Sequence, residues 1–338
     1  MNKWYEDTSK EAGVIVSSRV RLVRNLADQV FPAKLPKDEA INLINTMHGK
    51  LADLDLNYYE LWRLDSAHKD ALREHRILSS ALAKSKRPMG LLLSEDESES
   101  ILLCGDDHLR MQFLLPGSSL HRAFQYADEL DDKINGIFDY AFSEKYGYLT
   151  AFPTNVGTGL RVSCVLHLPI LSKSRSFKSL QEEISRIGLT LKGVIGSGND
   201  NYGDLYRLSN QKTLGQSEED LIESLERIAL ELAGQERKAR NDALKKRKGE
   251  LEDEIYKSLG VMKYARRLSI KEALVYLSQV RIGASDGILN LENDINVYGL
   301  MLGVQPGSLK AYAKKDLNEN EILQVRAQYL RENLPELK

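Results

Sequence analysis

Arginine side chains stand at strand positions where they could bind an anion. Arg19 and Arg21 alternate on a predicted strand, so both side chains point to the same face of a sheet. Arg110 begins another predicted strand, and Arg161 follows a loop at residues 155–159 that contains two glycines. A guanidinium binds phosphate oxygens through paired hydrogen bonds, and glycines let backbone N–H groups approach closely. Together these residues predict a clamp for a polyphosphate.

A second glycine-rich loop follows Lys192 and contains Gly193, Gly196 and Gly198. The chain lacks the G-x-x-x-x-G-K-[ST] pattern of a Walker A loop, and the first glycine loop lacks the third glycine of a Rossmann fingerprint. Each feature alone has an ordinary explanation, because strand arginines are usually solvated and a Gly-Thr-Gly segment is usually a turn. The prediction of a phosphate clamp therefore depends on their combination.

The composition is that of a soluble globular protein. Its 338 residues are enough for more than one domain. The formal net charge of −2 gives no basic excess of the kind that indicates nucleic-acid binding. With Cys104 and Cys164 as its two cysteines, the chain is no disulfide scaffold and fits a reducing compartment. We find no apolar signal core and no run that could span a bilayer, so we expect a cytoplasmic protein without membrane contact.

Hydrophobic periodicity predicts an α/β (strictly α+β) fold over the first two-thirds of the chain. Three successive strands at 89–93, 101–104 and 109–115, the first two joined by an acidic turn, predict an antiparallel meander. Further strands are predicted at 14–16, 58–64, 189–195 and 204–208, and helices at 37–54, 119–142 and 178–187. We therefore expect an antiparallel sheet flanked by helices.

The sequence changes character after residue 215. Ser217 and Asp220 predict a capping box at the start of a long helix, a highly charged segment follows, and the chain from about residue 251 is helical in pattern. We place a boundary near 235–250, which gives one domain at 14–240 and a helical C-terminal domain at 250–338. The basic residues 245–248 allow a nucleic-acid contact as an alternative, but acidic residues follow at once, and a solvated linking helix is the simpler interpretation.

Three motifs resemble those of the phosphagen kinases, which include creatine kinase and arginine kinase. Residues 17–21, 104–110 and 152–161 are similar in order and spacing to the family patterns S-S-R-[VI]-R, N-E-E-D-H-[LI]-R and C-P-[ST]-N-x-G-T-G-L-R. The short segment before the first motif and the helical C-terminal region resemble the bacterial protein-arginine kinases of that family. The resemblance implies a glutamine-synthetase-like catalytic domain and ATP-dependent phosphorylation of arginine residues in proteins.

The resemblance also implies residue roles. Asp106 stands at the position of the catalytic carboxylate, ATP with Mg²⁺ is the phosphoryl donor, and no residue is marked as a metal ligand of the protein. By position, the implied ATP site comprises Ser17, Ser18, Arg19, Val20, Arg21, His75, Arg110, Arg161, Val162, Ser163, Cys164, Val165, Lys192, Gly193, Val194, Ile195, Gly196 and Ser197.

The same resemblance implies partners. They are proteins that carry arginine substrates, a zinc-binding activator protein, the Clp protease system and a second copy of the chain. Neither nucleic acid nor membrane is expected among them.

The chain departs from the family pattern where the acceptor would bind. Asp106 replaces a glutamate, Phe152 a cysteine, Lys192 an arginine and Ser197 a second glutamate. A guanidinium is charged and a poor nucleophile, so it needs carboxylates that orient it and accept its proton. The alternative function is therefore a degenerate nucleotide-binding homologue that acts as an adaptor or regulatory module with little turnover.

In the protein-arginine kinases, a C-terminal motif R-D-x-x-R-A recognises phosphoarginine. The corresponding residues of this chain are 322–327, where only the last two residues of the motif are present. The simpler interpretation is an amphipathic helix with Ile322, Val325 and Leu330 inward. Elsewhere, we expect Asp107 and His108 to brace their strand.

The two cysteines have an ordinary interpretation as buried small hydrophobes. For Cys104, a compensating thiol near Asp106 is the alternative.

Overall fold

The computed structural model describes residues 3–7, 13–195 and 201–338. The strands are β1 (Ile15–Arg24), β2 (Asn57–Glu60), β3 (Gly90–Leu93), β4 (Glu99–Leu103), β5 (Leu109–Pro116), β6 (Phe142–Ser143), β7 (Gly147–Tyr148), β8 (Leu160–His167), β9 (Leu189–Gly193) and β10 (Leu205–Asn210). The helices are α1 (Lys37–Lys50), α2 (Ser66–Glu74), α3 (Ser80–Lys84), α4 (Leu120–Asn135), α5 (Phe177–Arg186), α6 (Glu218–Tyr264), α7 (Ile270–Ser285), α8 (Val297–Gly303), α9 (Pro306–Ala313) and α10 (Glu319–Asn333).

Eight strands form one sheet in the order β2-β3-β4-β5-β1-β8-β10-β9, and every pairing between neighbours is antiparallel. The predicted sheet flanked by helices is confirmed, as is the meander of β3, β4 and β5. The two-stranded sheet β6-β7 stands apart. Among the described residues, no helix combines the length and apolarity needed to cross a bilayer.

Several predicted elements have other limits in the structure, among them the following. β1 continues from its apolar start through the arginines to Arg24. The strand predicted at 58–64 ends at Glu60, because residues 61–63 turn into a 3₁₀ helix. The helix predicted at 119–142 ends at Asn135, where Gly136 is the C-cap, and Phe142 belongs to the β6-β7 hairpin.

The sheet buries apolar side chains on both faces. One face packs on α1, α4, α5 and the first half of α6, with Val20, Met111 and Val162 in its core. The opposite face packs on the C-terminal helices, where Leu91, Val165 and other strand residues meet Leu274, Met301 and Leu330. The C-terminal helices therefore cover the sheet directly.

Helix α6 connects the two layers. The predicted capping box at its start is present, and the helix runs on through the charged segment to Tyr264. Its single non-helical residue is Arg247, with φ −140° and ψ 39°, where the axis kinks. Residues 245–248 are exposed, and Arg247 and Lys248 pair with acidic residues one turn later on the same helix. The segment is thus a solvated helix, as the simpler interpretation had it.

Helix α10 buries a charged residue that the amphipathic pattern left out. Arg326 is 2% exposed, and its guanidinium donates to the backbone carbonyls of Val304 and Leu268 at 2.8 and 2.9 Å. Ile322 and Val325, predicted to face inward, are only partly buried, whereas Leu330 is in the core. Arg326 is inward because it satisfies carbonyls at the ends of two neighbouring segments. Burial lowers its pKa to about 10.

Candidate active site

The register of the sheet gathers positive charge on one face. Arg21 lies opposite Arg161 on β8 and opposite Gln112 on β5, and opposite residues share a face. Arg19 and Arg110 are two residues from Arg21 and Gln112 respectively, so they share that face too. Arg207 on β10 lies opposite Val165, which points to the same face of β8 as Arg161, so Arg207 shares that face as well. The sequence analysis missed this residue. We call Arg19, Arg21, Arg110, Arg161 and Arg207 the arginine cluster.

A cavity of about 530 Å³ lies over this face. The floor contains four members of the arginine cluster together with Gln112. The walls come from α2 and the turn after it, from the segment that follows β9, and from the C-terminal region through Leu302 and Gln305. The lining residues are Arg19, Arg21, Arg73, Glu74, Arg76, Ile77, Leu78, Ser79, Ser80, Arg110, Gln112, Val194, Ile195, Arg207, Leu302 and Gln305.

The cluster carries charge that no described carboxylate balances through an ion pair. The Nε atoms of Arg19, Arg21 and Arg110 are buried without a hydrogen-bond partner among the described residues. Burial lowers the pKa of Arg21 to about 9 and that of Arg110 to about 10, and repulsion from the other arginines lowers the Arg21 pKa further. The pKa of Arg19 is also lowered well below its ordinary value, by burial first and then by Arg21 and Arg207. An anion bound in the cavity would offset both the burial of these guanidinium charges and the repulsion between them.

The turn after α2 is fastened to the arginine face. Arg110 donates to the carbonyl of Ile77 at 2.6 Å, and Gln112 donates to the carbonyl of Arg76 at 3.1 Å. Arg76 has φ +69°, in the left-handed region that non-glycine residues seldom occupy. Its guanidinium carbon lies 5.7 Å from the centre of the Tyr298 ring. Sequence inspection missed Arg76 because a left-handed turn residue has no periodic signal.

Some residues of the implied ATP site face away from the cavity. Ser18, Val20, Val162 and Cys164 alternate with the arginines, and their side chains are buried on the opposite face of the sheet. Ser18 accepts a hydrogen bond from the Ser119 backbone N–H at 2.9 Å and donates to the Gly117 carbonyl at 2.8 Å. These four side chains therefore have structural roles, because successive side chains along a strand point to opposite faces of the sheet.

The other residues of the implied ATP site differ in whether they line the cavity. Val194 and Ile195 line the cavity, whereas Lys192 and Gly193 are exposed on the edge strand and do not. Ser17, Ser163 and Val165 are buried and do not line the cavity either. Gly196 and Ser197 lie outside the described residues.

His75 belongs to a neighbouring cleft. Its Nδ1 lies 2.8 Å from a Glu97 carboxylate oxygen, and its Nε2 lies 3.2 Å from the Ser308 hydroxyl. It lines a second cavity together with Tyr5 and Tyr329, and it does not line the arginine-floored one. Its chain neighbours Glu74 and Arg76 line the arginine-floored cavity instead.

Asp106 stands on the loop between β4 and β5, at the rim of the arginine face. Its side chain is 40% exposed and lies 3.9 Å from the Arg87 guanidinium. Its charge raises the pKa of Arg110, against the larger effect of burial, which places it within electrostatic reach of the cluster. Asp106 is accessible, with Arg87 close to it and Arg110 within electrostatic range.

The residues beside Asp106 hold the loop in place. Asp107 accepts hydrogen bonds from Asn25 Nδ2 at 2.7 Å and from the Ala151 backbone N–H at 2.6 Å. His108 is fully buried, with Nδ1 accepting from the Leu26 N–H and Nε2 3.1 Å from the Val30 carbonyl. Burial lowers the pKa of His108 to about 4, so the ring is neutral at physiological pH. Both residues brace the strand, as expected.

The same bracing fixes the chain just before Phe152. The Ala151 N–H that binds Asp107 is one residue before Phe152, whose side chain is half exposed. Cys104, by contrast, is 2% exposed, and burial raises its pKa to about 12. Cys164 is equally buried with a pKa of about 12. The buried-hydrophobe interpretation therefore holds for both, and a reactive thiol near Asp106 has no support.

The glycine loop positions Arg161 through its backbone. Gly159 has φ +69°, and a Cβ there would lie 2.6 Å from an Arg24 guanidinium nitrogen. Gly157 has φ +113°, with the Thr213 carbonyl 2.8 Å from where a Cβ would be. Past this loop, Arg161 donates to the Gln211 carbonyl at 2.8 Å. Only glycine fits at the two positions, because both the dihedral angle and the space exclude a side chain.

Comparison with known proteins decides the family. Residues 39–239 match the model of the ATP:guanido phosphotransferase C-terminal catalytic domain. The chain belongs to the ATP:guanido phosphotransferase family. It is thus a member of a family of kinases that transfer phosphate between ATP and guanidino groups. Residues 248–338 match a second model, described as the protein-arginine kinase McsB C-terminal domain.

Relatives of this kinase resemble it along its whole length. A protein named protein-arginine kinase from Bacillus pumilus is 39% identical over 99% of this chain and 93% of its own. One of the same name from Clostridium novyi is 37% identical over 99% and 98%. Full-length similarity to named kinases does not favour the alternative of a degenerate adaptor.

Solved structures agree on the fold. Lombricine kinase superposes with a TM-score of 0.57 at 24% identity, covering 72% of each chain. The duplicated taurocyamine kinase of Schistosoma mansoni superposes with a TM-score of 0.61 at 21% identity over 74% of this chain. This chain spans 38% of that duplicated protein.

Proposed function

We propose that this chain transfers the γ-phosphoryl group of ATP to a guanidinium nitrogen of arginine residues in proteins. The observation that carries the proposal is the arginine cluster, an array of cations without described ion-pair partners, four of which floor a cavity of about 530 Å³. Full-length relatives named protein-arginine kinase support the acceptor class. A polyphosphate supplies the negative charge that this face lacks.

The arginine cluster binds and orients the phosphates. Phosphoryl transfer depends mainly on positioning and on neutralising the charge of the equatorial phosphate oxygens. Guanidinium forks suit both tasks, because each offers two donors in a fixed plane. Arg19, Arg21 and Arg110 are held by the central strands, so little reorganisation is needed when ATP binds.

Asp106 serves the acceptor. Its carboxylate orients the substrate guanidinium and takes the proton that this group loses as its nitrogen forms the bond to phosphorus. The bond from phosphorus to the leaving oxygen of ADP breaks in the same transfer. A guanidinium needs such a carboxylate because its ordinary pKa lies above about 12.

The exposure of this end of the site suits an arginine on another protein. Asp106 and Phe152 are both accessible to solvent at the rim. Phe152 offers an apolar ring on which a planar guanidinium can stack. We infer that it replaces charge complementarity by stacking, so the departure from the family's cysteine changes the acceptor contact without abolishing it.

Mg²⁺ enters as part of the substrate, Mg-ATP. The cavity floor is made of cations, which do not ligate a metal ion, and Glu74 on its wall is engaged by backbone N–H groups. No three of the described His, Cys, Asp and Glu side chains gather as metal ligands would. Phosphate oxygens and water therefore supply most of the coordination, as Mg²⁺ prefers.

The wider proposals come from the resemblance and the domain models. They comprise a catalytic domain at 14–240 and a helical C-terminal domain at 250–338, cytoplasmic localisation, a zinc-binding activator protein, the Clp protease system and a homodimer. Contact with membranes or nucleic acid is not part of the proposal.

The decisive experiment incubates the protein with Mg-ATP and an unfolded arginine-rich protein, and seeks phosphoarginine by mass spectrometry under non-acidic conditions. We expect product with the wild type, and loss of at least about 100-fold in rate for Asp106→Asn. Asp53→Asn, at an exposed position outside the site, is the matched control and should retain activity. Absence of phosphoarginine above a no-enzyme reaction, in a protein that binds ATP, would overturn the proposed function.

A further inference from the structure

Lys192 on the edge strand β9 lies directly opposite Arg207 on its neighbour β10. Opposite residues in an antiparallel pair have Cβ atoms about 5 Å apart and point to the same side. Two cations of different chemistry are therefore presented at one place on the arginine face. Arg207 lines the cavity, and Lys192 does not. The geometry points to Arg207, rather than Lys192, as the residue that binds phosphate from this end of the site.

Arg207 belongs electrically to the cluster. Arg207 is exposed as a residue, yet partial desolvation in the cavity and repulsion from Arg76 and Arg161 lower its pKa. Arg207 in turn lowers the pKa values of Arg19 and Arg21. It thus lies within electrostatic range of residues on β1, β8 and the turn after α2. An arginine with only a solvating role would point away from four other cations.

No described acid balances Arg207. The described residues include no carboxylate that forms an ion pair with it, although Arg73 and Arg240 pair with nearby glutamates. A guanidinium held among like charges is unfavourable unless an anion joins them. Three phosphates of one nucleotide can contact arginines on several strands at once, which a single carboxylate cannot. The position therefore fits a polyphosphate ligand.

Arginine and lysine bind phosphate in different ways. A guanidinium binds two oxygens of a phosphate in a planar fork, whereas an ammonium is a compact point charge with a strong hydration shell. We infer that Arg207 contributes a fork to the phosphates of ATP and that Lys192 adds only general positive charge. The inference rests on the proposed function, since it assumes that the cavity takes ATP.

The test measures the affinities of the full chain for Mg-ATP and AMP by calorimetry. We expect Arg207→Ala to weaken Mg-ATP binding about 10- to 100-fold, as loss of a charge-assisted contact does. We expect Arg207→Lys to give an intermediate loss, and Lys192→Ala to lose about 10-fold less affinity than Arg207→Ala. Arg186→Ala, on the exposed side of α5, is the matched control and should bind as the wild type does.

Two further readouts separate phosphate binding from a structural role. AMP affinity should fall far less than ATP affinity in Arg207→Ala, because a general distortion would weaken both alike. Lys192→Arg added to Arg207→Ala should recover part of the lost ATP affinity, since the new guanidinium starts from the opposite strand position.

The outcomes distinguish this inference from the proposed function. If the wild type binds ATP and Arg207→Ala binds it within about twofold of the wild type, the role of Arg207 is overturned while the proposed function stands. Equal losses for ATP and AMP also overturn it. A wild type that binds no ATP overturns both.

Discussion

At the scale of single residues, the arginine cluster forms a binding site but lowers the stability of the ligand-free protein. Arg19 and Arg21 are held close to other guanidinium groups, and their buried Nε atoms have no described hydrogen-bond partner. Buried charges without partners destabilise a folded chain, and replacing them with apolar groups often raises stability. Replacing one of these ligand-binding arginines should therefore stabilise the ligand-free protein.

Arg19→Met should raise the stability of the nucleotide-free protein by about 1 kcal/mol, because it removes one partly buried charge from the cluster. The same change should abolish most of the rise in melting temperature that ATP produces in the wild type. Thermal unfolding with and without Mg-ATP measures both effects. Arg186→Met, at an exposed helical position, should leave both unchanged. A destabilised variant with a full response to ATP would contradict the assignment.

Gly159→Ala should destabilise the protein by about 1–3 kcal/mol, because its φ of +69° and two contacts under 3 Å exclude a Cβ. Activity should fall with it, since this loop positions Arg161. Gly234→Ala is the control: nothing lies within 4 Å of its added Cβ, and a helical alanine is favoured over glycine. Chemical denaturation compares the two, and equal stabilities would show that the loop tolerates a side chain.

At the scale of elements, α2 joins the cavity to the C-terminal helices. The Glu74 carboxylate accepts hydrogen bonds from the Gly307 and Ser308 backbone N–H groups at 2.9 and 2.8 Å, and from the Ser308 hydroxyl at 3.0 Å. It therefore caps the N-terminus of α9, where the first N–H groups lack partners within the helix. The same residue lines the cavity, as does Gln305 just before α9.

Glu74→Ala should destabilise the protein by about 2–4 kcal/mol, because it leaves the buried N–H groups at the start of α9 without a partner. Mg-ATP affinity should fall as well, since the wall formed by the turn after α2 and Gln305 loosens. Denaturation and calorimetry measure the two effects. Glu319→Ala removes an exposed carboxylate from the first turn of α10 and should cost less than about 1 kcal/mol. Similar losses for both variants would refute the capping role.

At the scale of the whole molecule, a buried polar network ties the sheet to α6 and α7. His167 Nδ1 accepts from Arg240 at 3.0 Å, and its Nε2 lies 2.8 Å from the Ser278 hydroxyl, which donates to Asp204 at 2.6 Å. Arg240 also donates to Glu236 at 2.9 Å. These directions require Nε2 to carry the proton and the ring to be neutral. Burial and the Arg240 charge lower the pKa of His167 well below its ordinary value.

Acidification should therefore weaken the molecule. The unfolded chain protonates His167 below about pH 6.5 while the folded chain does not, so the unfolded state binds more protons and stability falls as pH drops. The loss grows as the pH falls from 6.5 to 5.0. Thermal unfolding across this range should show a smaller pH dependence for His167→Gln, whereas His68→Gln, at an exposed site, should behave as the wild type. Asp204 opposes the trend as the pH falls towards its folded pKa, because burial raises that pKa above its ordinary value and the folded state then takes up the proton first.

Local pattern determined much of this protein. The alternation of Arg19 and Arg21 placed both on one face, and the capping box at Ser217 marked a helix start that the structure has. These signals work because side-chain direction along a strand and hydrogen bonding at a helix end depend on residues a few positions apart. The motif resemblance named the family and the fold for the same chain.

Tertiary structure decided which residues share the site. Arg207 joined the cluster because β10 pairs with β8 in one register, and a shift of one residue would have turned it into the core. The contact of Glu74 with Ser308 joins residues that are 234 positions apart. Neither follows from local periodicity, because pairing register and helix docking are fixed by the packing of distant apolar surfaces. The sequence alone thus determined the elements and their chemistry, and the tertiary structure decided the neighbours of each arginine.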